Sequence, residues 1–281
     1  MLEQICDQPQ SLKEFTDNHY AQASFFWDRL LKDKSIKVNG VRVKENVRLN
    51  VGDTVTYYLT PKQASKSAYS IVYQDENVLV VDKESGVNSE AVFAALSAVQ
   101  ECYFIHRLDR NTQGLLIFAR NTRAESALLQ AFKERRVEKI YHALCFGEIT
   151  VSHAILKAYL KKDEKNALAF VSDCPIAGSE EICTEYRVLD RPLPQITRLE
   201  IVLHTGKTHQ IRAHLAHVGF PLVGDMKYGD TAKNKAFKSA RQCLVSKHLK
   251  LSLNGEFAYL NEKTFTSRFT AELPTEREKG D

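Results

Sequence analysis

The sequence predicts an α+β protein: a small N-terminal α/β unit, then a larger domain on a largely antiparallel or mixed central sheet. Three observations carry this prediction. Beyond residue 70, segments that read as strands outnumber those that read as helices. Many of these strands follow one another without a helical crossover, which disfavours a doubly wound parallel sheet. Before residue 60, a run of alternating apolar residues is broken at Asn39-Gly40, the strongest short hairpin signal because both residues tolerate positive φ.

The elements follow in order. FFWDRLLKD (25–33) is expected to be one helix, with Phe25, Leu30 and Leu31 near one face. Ile36, Val38, Val41 and Val43 alternate with a period of two around Asn39-Gly40, and Gly52-Asp53 marks a second turn before a strand over 54–59. The N-terminal unit is thus 1–60. Residues 61–70, within TPKQASKSAYS, lose apolar periodicity and read as a linker. In the larger domain, 71–272, strands are expected at 77–83 (NVLVVDK), 115–120 (LLIFAR), 139–147 (KIYHALCFG), 182–190 (ICTEYRVLD) and 198–205 (RLEIVLHT). Two helices interrupt them. TRAESALLQAFKERR (122–136) has Thr122 and Glu125 in capping-box register and a basic last turn. HQIRAHLAHV (209–218) has Thr208 as its expected N-cap and Gly219 at its stop. The tail 273–281 is expected to be flexible.

Composition narrows the class. The 281 residues are 43% hydrophobic and 26% charged, ordinary for a globular protein with a real core. A net charge of +4 is compatible with a polyanionic partner without demanding one. No stretch approaches the roughly 18 apolar residues of a membrane span, and the N-terminus lacks the basic-then-apolar layout of a signal peptide. The cysteines Cys6, Cys102, Cys145, Cys174, Cys183 and Cys243 are scattered with no C-x-x-C pair, so they read as reduced thiols rather than a zinc site or disulfide framework. A cytoplasmic location is the expectation, with no membrane association and no obligate protein partner.

Several constellations could carry chemistry. In HRLDRNTQGLLIFAR (106–120), Asp109 sits among His106, Arg107 and Arg110 just before a buried-looking strand. Alone, this is as well read as a salt-bridged loop. Cations matter to an acid only where burial would otherwise favour its neutral form, and a fixed guanidinium then holds it ionised. In LHTGKTHQIRAHLAHVGFPLVGDMKYG (203–229), a glycine-bearing turn precedes a helix carrying Arg212. Its histidines are spaced H-x4-H-x4-H-x2-H (His204, His209, His214, His217), with no acid between them, which is not a zinc pattern. No metal is expected, and His209 reads better as a hydrogen-bonding or phosphate group at a helix start. Tyr141 lies in a strand, where packing is its ordinary role; it gains interest only if it lines the same pocket as Asp109. Residues 231–250 hold Lys233, Lys235, Lys238, Arg241, Lys247 and Lys250 and no acid, a solvated face that could also meet phosphates.

Taken together, these segments resemble the RluA-type pseudouridine synthases. HRLDRNTQGLLIFAR resembles that family's HRLD-x-x-TSGLLLFAR motif, VLVVDKESGV (78–87) its opening VVNKPSGV motif, and EKIYHALCFG its K-x-Y-x-A-x-V-x-G strand. LHTGKTHQIRAHLAHVGFPLVGDMKYG is similar to its TGRTHQIR signature with the following GD-x-x-YG. The motifs occur in the family's order over residues 71 to about 255. The N-terminal helix with VNGVRVKENVRLNVGD resembles the small alpha-L RNA-binding module often fused to these enzymes. The resemblance implies the pseudouridine synthase fold and isomerisation of uridine in RNA, with ribosomal RNA favoured over transfer RNA, by a monomer without a cofactor. It places Asp109 on the catalytic aspartate, Tyr141 on the tyrosine that packs against the uracil, and Arg212 on the arginine that pairs with the aspartate, bidentately by expectation. RNA contacts are expected from His106, Arg107, Arg110, Lys207, His209, Gln210, Lys233, Lys235, Lys238 and Arg241, with Arg107 and Arg110 facing outward. Base flipping follows, since the target must leave its stack.

The chain departs from the pattern at Gln113 (usually Ser), Glu84 (usually Pro) and Lys207 (usually Arg), and acids equal bases in number over 1–60. A catalytically weak RNA-binding or assembly protein on the same fold is therefore the alternative. A kinase reading of HRLDRN is excluded by the extra Leu108 and the lack of G-x-G-x-x-G and D-F-G.

Overall fold

The computed structural model describes residues 1–237, 239 and 241–273; Lys238 and the tail beyond Leu273 lie outside the described residues. Two sheets organise the chain. In the N-terminal unit, four antiparallel strands lie in the order Leu2–Ile5, Thr54–Tyr57, Ile36–Val38, Val41–Val43. The hairpin forms at Asn39-Gly40, with φ of 49° and 79°, and the Asn39 side chain ties it to the second turn by accepting Thr54 N–H at 2.9 Å. Three short helices, Leu12–His19, Ala21–Phe25 and Trp27–Lys32, pack Leu12, Phe15, Trp27 and Leu30 against Ile36 and Val55. The single helix expected over 25–33 is thus corrected to two, broken at Phe26 (φ −111°, ψ 20°). The linker is also corrected. Thr60 caps a short helix, Pro61–Ala64, through a reciprocal box with Gln63, and the first strand of the large sheet, Tyr69–Gln74, begins inside the segment.

Among the described residues the large sheet has eleven strands. Its main path runs Leu168–Ser172, His153–Asp163, Glu180–Leu193, Ile196–Leu203, Val137–Phe146, Leu244–Leu251, Gln113–Ala119, Val78–Lys83, Tyr69–Gln74. Every pairing is antiparallel except one, Gln113–Ala119 against Leu244–Leu251. That parallel junction is where Gly114 lies against Ser246: its φ is +109°, and a Cβ there would meet the Ser246 carbonyl at 2.3 Å. The expected basic run 231–250 is therefore corrected to a helix, Thr231–Ala236, followed by a central strand. In that strand Lys247 is bonded inward to the carbonyls of Ser267 and Phe269, at 2.6 and 2.8 Å.

Period-two alternation splits the core between the two faces. Leu79, Val81, Leu116 and Phe118 face helices Ser89–Ser97 and Gln210–His217. Val80, Leu115, Ile117 and Leu249 face helix Thr122–Lys133. That helix is capped one residue earlier than expected, by Asn121, which accepts Ala124 N–H at 2.9 Å. None of the described helices is long and apolar enough to cross a membrane.

Candidate active site

Four segments converge on a cleft of about 450 Å³ on the first of these faces. The loop entering strand Gln113–Ala119 brings Asp109, strand Val137–Phe146 brings Tyr141, helix Gln210–His217 brings Arg212, and strand Leu244–Leu251 brings Leu244. The three residues singled out as catalytic thus share one wall. Arg212 donates through Nη1 to Asp109 Oδ2 at 2.8 Å.

The expected bidentate pair is corrected: the fork of Arg212 is spent on Asp225, with Nε to Oδ2 at 2.7 Å and Nη2 to Oδ1 at 3.0 Å. Asp225, from VGDMKYG, is buried and also accepts the backbone N–H groups of Lys227 and Tyr228 at 2.8 and 3.1 Å. Burial alone would push its carboxyl up, but the Arg212 pair and these N–H groups outweigh it and hold it below the ordinary value. Burial likewise opposes the Arg212 charge, and the two carboxylates win, leaving the guanidinium more basic than usual. The arrangement is a relay of orientation: Asp225 fixes Arg212, and the remaining guanidinium nitrogen, Nη1, fixes one oxygen of Asp109.

The other oxygen of Asp109 is differently placed. His209 Nε2 lies 4.0 Å from Oδ1, too far for a hydrogen bond. His209 also stands at the helix start, but as the N-cap in place of Thr208 and in the left-handed region at φ 56°. Its Nδ1 is bonded to the Tyr228 hydroxyl at 2.8 Å. Burial pushes its pKa down, partly countered by Asp109. The Tyr228 ring lies beneath Arg212, 5.2 Å from the guanidinium carbon to the ring centroid. Tyr141 is 6% exposed, and burial pushes its phenol well above the ordinary value, partly offset by a hydrogen bond to Ser246. In this setting it is a poor base.

The residues expected to touch RNA divide. Arg107 is exposed at the cleft mouth, loosely paired with Glu90 at 3.3 Å. Lys207 lies at the rim, paired with Glu180. Three others line the cleft but are engaged in contacts within the protein, and the expected outward facing of Arg110 is corrected. Arg110 is ion-paired with Asp17 and donates to the Ser24 carbonyl at 3.1 Å, so it does not face outward. His106 accepts Ile117 N–H at 3.2 Å and stacks on Phe132; burial and then nearby Lys139 push its pKa down to about 3, so it is neutral. Gln210 is buried, donating to Cys183 O and Thr184 Oγ1 at 3.1 and 3.0 Å and accepting from Thr205 and Lys207 N–H. Lys233 (paired with Asp230 at 3.7 Å), Lys235 and Arg241 are not among the residues lining the cleft. Lys238 lies outside the described residues. His204, His214 and His217 each have a different partner, Glu185, Thr184 and Asp173.

Asp225, Tyr228 and Lys83 are the functional-looking residues that the sequence reading passed over. The first two lie in the turn segment GDMKYG, where the motif was quoted without assigning chemistry to these residues. Lys83 is wholly enclosed, its Nζ donating to the carbonyls of Glu84, Val87 and Arg110 at 2.9, 2.8 and 3.1 Å. Burial pushes its pKa down to about 7, while Asp109 nearby favours the charged form. A second, larger trough of about 1680 Å³ adjoins the cleft, sharing Phe132, Lys139, Leu203, Gly206 and Lys207. Lys133, Arg135, Arg136 and Lys250 line it, interspersed with Glu138, Glu185 and Glu200.

Comparison with known proteins gives this geometry a family. Residues 77–217, which carry Asp109, Tyr141 and Arg212, match the family described as RNA pseudouridylate synthase. The chain is 29% identical over 262 residues to ribosomal large subunit pseudouridine synthase D of Buchnera aphidicola subsp. Baizongia pistaciae, covering 79% of this chain and 81% of that protein. It is 33% identical over 227 residues to ribosomal large subunit pseudouridine synthase C of Vibrio vulnificus, covering 72% and 70%. Among solved structures, human RNA Pseudouridylate Synthase Domain Containing 1 superposes with a TM-score of 0.58 at 27% identity, covering 66% of this chain and 79% of that one. By sequence motif, fold and relatives alike, the chain belongs to the RNA pseudouridylate synthase family.

Proposed function

We propose that the chain converts specific uridines to pseudouridine in large-subunit ribosomal RNA, with Asp109 as the catalytic group. The observation that carries this is the asymmetry of the Asp109 carboxylate. Oδ2 is anchored by an arginine that is itself locked by Asp225, Oδ1 lies 4.0 Å from His209 Nε2, and Asp109 lines the cleft together with Tyr141. A carboxylate anchored through one oxygen keeps the other aimed for attack or charge stabilisation. The reaction is an isomerisation: the bond from ribose to nitrogen 1 breaks, a bond to carbon 5 of the same ring forms, the proton on carbon 5 leaves, and nitrogen 1 takes up a proton in its place. The protein's part is to hold the flipped uracil against Tyr141 and to present Asp109.

Large-subunit ribosomal RNA is the favoured substrate because the relatives of similar length are named for it. The adjoining trough, with Lys133, Arg135 and Arg136, suits the RNA flanking the target. We read residues 1–60 as an alpha-L-type RNA-binding module ahead of the catalytic domain at 71–272, and the working unit as a cytoplasmic monomer.

The test is release of tritium from RNA labelled at carbon 5 of uridine, with ribosomal and transfer RNA pools kept separate. Wild-type protein is expected to release tritium from the large-subunit pool, and Asp109→Asn to release none while binding that RNA within a few-fold. Equal release by Asp109→Asn would refute the role given to Asp109, and release confined to transfer RNA would refute the substrate.

A further inference from the structure

The loop that carries Asp109 is held from two sides. From the catalytic domain, Ser89 Oγ accepts Leu108 N–H at 2.9 Å, Lys83 and Gly86 N–H both donate to the Arg110 carbonyl at 3.1 and 2.9 Å, and Gln242 donates to the Thr112 hydroxyl at 2.9 Å. From the N-terminal unit comes one further hold. Asp17, on helix Leu12–His19, pairs with the guanidinium of Arg110, the residue next to Asp109. The same guanidinium donates to Ser24 O at 3.1 Å, also in that unit.

Asp17 is a preset anchor rather than a mobile surface acid. Its side chain is 14% exposed, paired with Lys13, and accepts from Ser24 Oγ at 2.7 Å. The adjacent Asn18 accepts from Asn88 at 2.9 Å, and Asn88 lines the cleft together with Arg110. Phe25 completes the contact: a Cβ on Gly86 would meet its ring at 3.6 Å, while Gly86 N–H is bonded to the Arg110 carbonyl. The segment from Glu84 to Asn88 is thus held between the N-terminal unit and the Asp109 loop.

We propose that Asp17 is a positioning residue: acting through Arg110, the N-terminal unit sets where Asp109 stands relative to Arg212 and Tyr141. This rests on the reading of Asp109 as the catalytic group. The physical ground is that Arg110 is spent on Asp17 and Ser24 and is adjacent in the backbone to Asp109, so a shift of the unit moves the carboxylate. Misplacement by an ångström far from the chemistry costs on the order of a hundredfold in rate. The equality of acids and bases over residues 1–60 fits a unit that contributes alignment more than phosphate binding.

The full-length chain is tested as Asp17→Asn, Arg110→Met, the double variant, Asp17→Glu and Asp109→Asn. Single-turnover tritium release from a large-subunit ribosomal RNA transcript labelled at carbon 5 gives the rate at saturating protein, filter binding gives affinity, and thermal unfolding checks the fold. Asp17→Asn and Arg110→Met are each expected to slow the saturated rate about tenfold with affinity held within about twofold. The double variant is expected to be no slower than either single one, because one contact is broken in all three. Asp17→Glu is expected to recover most of the rate. Arg110→Met changes no residue of the N-terminal unit, and thermal unfolding checks that its fold is kept, so it carries the test should Asp17→Asn unfold that unit.

Additive losses would overturn the proposal. So would weaker RNA binding with an unchanged saturated rate, or a loss that tracks unfolding and is not rescued by Asp17→Glu. Activity in Asp109→Asn would overturn the reading of Asp109 itself; wild-type rates in Asp17→Asn beside an inert Asp109→Asn would overturn only the positioning role.

Discussion

Asp109 is held through one oxygen by Arg212, and the residue that fixes Arg212 is Asp225, thirteen positions beyond it. Without Asp225 the guanidinium would be a buried cation with one partner, free to rotate about its chain. Asp225→Asn keeps the shape but removes that charge. It is expected to lower turnover at least about tenfold and to destabilise the fold by about 3 kcal/mol, as breaking a buried pair does; single-turnover kinetics and denaturant unfolding check both. His106 makes a separate prediction. Its folded pKa of about 3 lies below the ordinary 6.5, so below pH 6.5 the unfolded chain takes a proton that the fold refuses. Stability is therefore lost as pH falls from 6.5 toward 3. His106→Gln, which can still accept from Ile117, should flatten that limb by one proton, about 1.4 kcal/mol per pH unit, in unfolding measured along an acid series. At this scale the grouping of Asp109, Tyr141 and Arg212 was legible because motif spacing is read directly from the sequence, and the three do line one cleft. The partners were not: whether Arg212 reaches Asp109 or Asp225 with its fork, and whether Arg110 turns out or in, depends on contacts between segments far apart in the chain.

The element on which the cleft depends is the parallel junction between Gln113–Ala119 and Leu244–Leu251, since it brings the Asp109 loop beside Leu244. It closes only because Gly114 has no side chain. Gly114→Ala places a Cβ at 2.3 Å from a backbone oxygen and at a φ of +109°, and is expected to cost roughly 3–5 kcal/mol from overpacking and backbone strain together. A melting temperature within a few degrees of wild type would contradict this. Local signals read well where the physics is local: Asn39-Gly40 forms its hairpin, and Gly219 ends its helix at φ 89°. They failed where it is not. Strands His153–Asp163 and Leu244–Leu251 carry lysines and histidines because one side of each is wet or paired, which masked their alternation. The capping positions slipped by a residue, to Asn121 and His209, because several polar residues in a row can each serve as the cap.

For the molecule as a whole, the cleft and the trough form one continuous surface on which acids and bases alternate. Recognition of a folded RNA by shape, with a modest number of phosphate contacts, fits that mixture better than a uniformly basic face. Lys133→Ala with Arg135→Ala is expected to weaken binding of the transcript several-fold and to reduce the slope of log affinity against log salt by about 1 to 2, leaving the saturated rate unchanged; an unaltered slope would remove the trough from the RNA path. The fold class followed from strand count and connection, whereas the docking of the N-terminal unit had no sequence signal, because Asp17 and Arg110 are ninety-odd positions apart and each is an ordinary surface charge type. The most direct measurement is a map of pseudouridines in large-subunit ribosomal RNA from cells lacking the gene, complemented with wild type or with Asp109→Asn. The account predicts that one or more uridines lose modification in the deletion, regain it with wild type, and stay unmodified with Asp109→Asn. An unchanged map, or full restoration by Asp109→Asn, would contradict it.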